Sequence, residues 1–153
     1  MKPRSGSSFI GDVLNHHKDV MYYMEPLWHK KVRLLIENSA EVGAEFYEYL
    51  FKCMDEDRSG IYKKVFETYL TVGRKRWFKK YFKNLFLSQK QQQFNTIVFN
   101  GYCKKMFSHN IIKGMVFSPD KTMSLEDFIN KISIPVTVVQ LVKGSEGSSS
   151  ILY

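Results

Sequence analysis

Val42, Phe46, Tyr47, Leu50, Phe51 and Met54 recur at intervals of three and four residues and form the clearest helical stripe in the chain. A stripe of this kind has to be buried against other elements, which commits the sequence to a helix-rich core. Neighbouring segments repeat the pattern. Phe9, Ile10, Val13, Leu14, His17, Val20, Met21 and Met24 predict a first helix, with Ser7 or Ser8 as its N-cap. Pro26 suits the first turn of a second helix, lined by Leu27, Trp28, Val32, Leu35 and Ile36 until Asn38 and Ser39 interrupt it. The third helix ends in D-E-D-R-S-G, and a fourth follows Gly60, burying Ile61, Tyr62, Val65, Tyr69 and Val72. Phe66 and Leu70 widen its apolar arc to two sides, and Gly73 is a stop or a bend.

The second half reads differently. N-T-I-V-F-N (95–100) and G-M-V-F-S-P (114–119) are short β-like runs, and I-S-I-P-V-T-V-V-Q-L-V (132–142) is a longer one that Pro135 confines to an edge or a strand start. Between the last two, Ser124 caps a short helix, S-L-E-D-F-I-N-K-I. The fold class expected is therefore mainly α, a helical domain of about five to six helices with a small C-terminal β-sheet, α+β overall. Residues 1–8 read as a flexible N-terminus, 9–142 as one globular domain and 143–153 as a flexible tail, its final I-L-Y a frayed end. With 44% hydrophobic residues in a chain of 153, a sizeable core forms and intrinsic disorder is excluded.

Charge is distributed unevenly. The formal net charge is +8, and residues 74–119 contain ten Lys and Arg with no Asp or Glu. Solvated faces normally mix both signs, because mixing limits self-repulsion and supports i,i+4 pairs. A long carboxylate-free stretch points instead to an anionic partner, or to neutralisation by the acidic segment 41–73. On a helical wheel at about 100° per residue, Trp77, Phe78, Tyr81, Phe82, Leu85 and Phe86 occupy one arc, and Lys75, Arg76, Lys79, Lys80 and Lys83 the other. The aromatics are read as core. Arg74, Lys75, Arg76, Lys79, Lys80 and Lys83, widened by Lys104, Lys105 and Lys113, then form a candidate phosphate-binding face.

Motifs for chemistry are sparse. Asp55, Asp57, Ser59 and Gly60 match the first half of a calcium loop, but Phe66 stands where the closing carboxylate belongs. His16, His17, His29 and His109 have no paired metal-ligand spacing, so neither a metal nor a cofactor is expected. Cys53 and Cys103 form no CxxC pair and read as buried thiols rather than a disulfide. No nucleophile elbow, P-loop or dinucleotide fingerprint occurs. The polar N-terminus lacks a signal-peptide core, and no apolar run is long enough to cross a membrane. These readings lead to an intracellular, reducing location, cytoplasmic or nuclear. The function expected is a non-enzymatic domain binding RNA or DNA through its phosphates. The alternative is a protein-interaction adaptor using a helical groove, or the basic face against an acidic protein surface.

Overall fold

The computed structural model describes residues 7–55, 60–74, 96–114, 123–143 and 149–152. Within them the chain is mainly α with a little sheet, as its periodicity predicts. The first helix departs from expectation. Helix α1 (Ser7–His16) takes Ser7 and Ser8 into its first turn and stops at His17, where the Asp19 amide donates to His17 Nδ1 at 3.2 Å. Val20–Met24, expected to continue the helix, is strand β1. All five of its residues are buried, and a short run apolar on both faces carries no periodicity to separate a buried strand from a buried helix.

Strand β1 pairs in parallel with β2 (His109–Lys113), in a register that runs from Val20 opposite His109 to Met24 opposite Lys113. Parallel neighbours need a crossover, and the helices between them supply it. Helix α2 (Lys30–Leu35) starts four residues later than Pro26 suggests, capped by the His29 ring, which accepts from the Lys31 amide at 3.2 Å. Helix α3 (Ala40–Phe51) is capped by Ser39 and buries Phe46, Tyr47 and Leu50 as the stripe requires. Gly60, at φ 69°, precedes α4 (Ile61–Tyr69), which runs into a π-turn (Leu70–Arg74) spanning the expected bend at Gly73.

Helix α5 (Thr96–Met106) replaces the strand expected over 95–100. Phe99 and Cys103, one helical turn apart, are both fully buried, so core contact overrides the β-propensity of the Ile-Val-Phe run. Helix α6 (Leu125–Ile129) is capped by Ser124 as anticipated. Only the end of the 132–142 run enters a ladder. Strand β3 (Gln140–Lys143) pairs antiparallel with β4 (Ser149–Leu152), which lies in the segment read as a flexible tail.

The two cysteines are joined. Cys53, just past the end of α3, and Cys103 in α5 form a disulfide with Cα atoms 5.5 Å apart, correcting the expectation of free thiols. Asn110 of β2 braces the junction, donating to the Phe51 carbonyl at 2.7 Å. Asn100 donates to the Cys53 carbonyl at 3.3 Å.

Helix α1 lies directly on β1. A Cβ on Gly11 would stand 3.0 Å from Tyr22 Cζ and closer still to its hydroxyl. Tyr22 is only 1% exposed at the centre of β1, so its ring has nowhere to swing. Alanine in a helix normally gains up to about 1 kcal/mol over glycine. Overpacking here costs about 1–3 kcal/mol and wins. Gly11→Ala is therefore expected to lower the urea midpoint. A raised midpoint would mean that α1 does not rest on Tyr22.

Candidate active site

Three residues separate α1 from β1, and mid-helix Gly11 faces mid-strand Tyr22. Helix α1 therefore runs back along β1, and its N-terminus lies toward the carboxyl end of the strand. The first amides of a helix have no intrahelical acceptor and carry partial positive charge. The first turn of α1 holds no acidic residue, and the sequence leading into it is Arg4-Ser5-Gly6. This combination of basic, glycine and hydroxyl residues before a helix start suits an anionic group.

Glu25 stands at the same end. It directly follows β1, with φ 49°, a left-handed conformation costing a non-glycine residue about 1–2 kcal/mol. The surrounding bonds hold it there. Its amide donates to the Lys113 carbonyl at 2.7 Å, and its carbonyl accepts from the Trp28 amide at 3.1 Å. The Tyr69 hydroxyl donates to the preceding Met24 carbonyl at 2.9 Å. The Glu25 side chain is 7% exposed, and one carboxylate oxygen lies 3.1 Å from Lys113 Nζ, itself 16% exposed. The last residue of β2 and the first after β1 thus form a shielded ion pair at the carboxyl ends of parallel strands, where α/β folds place their ligands.

Tyr47 of α3 adds a hydroxyl beside this pair. Burial pushes its phenol well above the usual tyrosine range, and the negative charge of Glu25 adds to the shift. It stays protonated, and its oxygen is buried with no hydrogen-bond partner among the described residues. The site therefore combines a carboxylate, an ammonium and a neutral hydroxyl. Among the described residues, no group of three or more His, Cys, Asp or Glu is placed to hold a metal. None of their helices is long and apolar enough to cross a membrane.

Of the basic residues singled out from the sequence, Lys113 stands at this site. Arg74 ends the π-turn, and Lys75, Arg76, Lys79, Lys80 and Lys83 lie outside the described residues, as does the aromatic arc opposite them. Lys104 and Lys105 are exposed in the last turn of α5. Lys104 pairs with Asp55, a carboxylate of the acidic 41–73 segment that also headed the half-matched calcium loop. Lys113 turns inward to Glu25. Glu25 and Trp28 were not identified from sequence as functional residues. The available signal was a charged residue between a five-residue apolar run and a proline.

Short stretches of the chain match curated carbohydrate sulfotransferases. Carbohydrate sulfotransferase 6 of Homo sapiens is 65% identical over 26 residues, 17% of this chain and 7% of that protein. Carbohydrate sulfotransferase 7 of Rattus norvegicus is 42% identical over 53 residues, 33% of this chain and 11% of that protein. Carbohydrate sulfotransferase 1 of Danio rerio is 53% identical over 32 residues, covering 21% and 8% respectively. The matched stretch is thus about a tenth or less of each relative's length. No family model and no solved structure matches. These relatives are enzymes; the matches contradict the expectation of a nucleic-acid-binding domain and point against a non-enzymatic one. Physically, that expectation counted cations without their partners: Lys113 pairs inward with Glu25, and Lys104 pairs with Asp55.

Proposed function

We propose that this chain carries part or all of a sulfo-transfer site acting on a carbohydrate hydroxyl. The observation that carries this reading is the 65% identity over 26 residues to a carbohydrate sulfotransferase. The geometry supports it. Sulfo transfer requires a place for an anionic donor, a base for the acceptor proton and positive charge near the transferring group. In this reading the N-terminus of α1 serves the first requirement, Glu25 the second and Lys113 the third.

In the proposed step, the acceptor hydroxyl gives its proton to the Glu25 carboxylate while its oxygen forms a bond to sulfur. The bond from sulfur to the leaving group breaks, and the leaving group departs with the electron pair. Free sulfate has no adequate leaving group, so the donor is an activated sulfate such as a phosphosulfate anhydride. Lys113 offsets negative charge at the donor side, and the left-handed turn at Glu25 keeps the carboxylate aimed without rearrangement. The disulfide supports a setting in an oxidising compartment, where such bonds persist. The test is donor turnover by the intact chain with and without a saccharide. Saccharide-dependent turnover is expected, and donor consumption indifferent to saccharide would reject the proposal.

A further inference from the structure

We infer that Trp28 is the stacking platform for the acceptor sugar, positioning a pyranose ring so that one of its hydroxyls meets Glu25. This rests on the sulfo-transfer reading above and goes beyond it by assigning an acceptor subsite. Every residue from Val20 to Leu27 is buried, and Trp28 is the first to emerge, 48% exposed. It does so at the end of the turn that opens at Glu25, with its amide bonded to the Glu25 carbonyl at 3.1 Å. Residues closing such a turn lie within about 7 Å of each other at Cα.

The backbone around the indole is held on both sides. The Arg33 guanidinium donates to the Trp28 carbonyl and, at 3.2 Å, to the Leu27 carbonyl. The neighbouring His29 ring, with its centroid 6.3 Å from the indole at an interplanar angle of 60°, is itself fixed as the cap of α2. The backbone that carries this half-exposed indole is thus held beside a shielded carboxylate, which reduces the ordering left to binding.

The ligand chemistry follows from the indole face. It is apolar and carries negative quadrupole potential. One face of a pyranose presents C–H hydrogens with partial positive charge, while its hydroxyls project from the ring edge. A ring stacked on Trp28 keeps its edge hydroxyls free, and in the proposed subsite one of them reaches Glu25 at the other end of the turn. An anionic sulfo group is disfavoured over the same face, so the platform separates acceptor from donor.

The test titrates the intact chain with lactose and chitobiose by ligand-observed NMR, in the absence of donor. Wild type is expected to bind at least one of them, Trp28→Ala to bind about tenfold more weakly, and Trp28→Tyr to stay within about threefold of wild type because it keeps an aromatic face. Where turnover is measured, Trp28→Ala should raise the saccharide KM by a similar factor and leave the donor KM unchanged. Thermal melts should show all three proteins folded at the titration temperature, with Trp28→Ala melting somewhat below wild type because its half-buried indole is lost. Saccharide affinity unchanged in Trp28→Ala, or absent in wild type, overturns the inference. So does a Trp28-dependent self-association without saccharide binding. Saccharide binding that depends on Trp28 in a protein without donor turnover upholds the platform and rejects the transfer reading.

Discussion

Glu25→Gln is expected to lower sulfo transfer by about 10²–10⁴-fold, the range over which a positioned general base contributes. The amide keeps the size and hydrogen-bonding ability of the carboxylate but cannot take a proton. Because Glu25 pairs with Lys113 at 3.1 Å under little solvent, the substitution also leaves an unpaired, shielded ammonium. Breaking a buried pair costs about 3–5 kcal/mol, with the lower end fitting here because Lys113 keeps partial solvent access. A loss of activity in the single variant would therefore mix chemistry with unfolding. The double variant Glu25→Gln with Lys113→Gln separates them, because it removes both charges together and relieves the stranded ammonium. It should melt closer to wild type than the single variant and still be inactive. Normal turnover in the double variant would remove Glu25 from the mechanism.

Loss of the disulfide should have the largest effect on stability. Cys53 and Cys103 are 50 residues apart, and closing a loop of that length removes about 4 kcal/mol of denatured-state entropy in the chain-entropy model. For a domain near this size, each kcal/mol shifts the melting temperature by about 2–4 °C. Cys103→Ser, or reduction of the wild type, is therefore expected to lower the melting point by about 8–16 °C. The bond also supports Cys53 and Met54, both left-handed at φ 56° and 62°, which end α3 abruptly. Through Asn110 and the short link from α5 to β2, the same junction anchors the strand that delivers Lys113. Reduced protein should thus lose sulfo transfer at a temperature below that of oxidised protein. Melting curves that coincide with and without reductant would contradict this.

How far these features could be read from the sequence depended on their range. Helices α3, α4 and α6 have local signatures, a three-four stripe with Ser39, Gly60 or Ser124 at the start, and all three were recognisable from neighbouring residues alone. Strand β1 defeated the same approach because Val20–Met24 is buried on both faces and so shows no alternation. Strand β2, with the sequence His-Asn-Ile-Ile-Lys, has little hydrophobic signal and owes its conformation to its partner. The site is assembled by that pairing, which brings together Glu25 and Lys113, 88 positions apart.

Local windows contain no trace of such a contact. Lys113 was visible only as one more cation, and its role is set by Glu25. Lys104 was likewise counted as part of an open basic face, although it bonds to Asp55. The disulfide was missed for the same reason, since cysteines 50 residues apart carry no spacing motif.

Sulfo transfer by this chain is tested most directly by tracing label from a radiolabelled phosphosulfate anhydride donor, with the intact oxidised chain and a saccharide present. Label should appear as a sulfate ester on the saccharide with wild type, and at no more than about a hundredth of that rate with the Glu25→Gln, Lys113→Gln double variant. Label recovered only as unreacted donor or free sulfate with wild type, or transferred equally by the double variant, would contradict this.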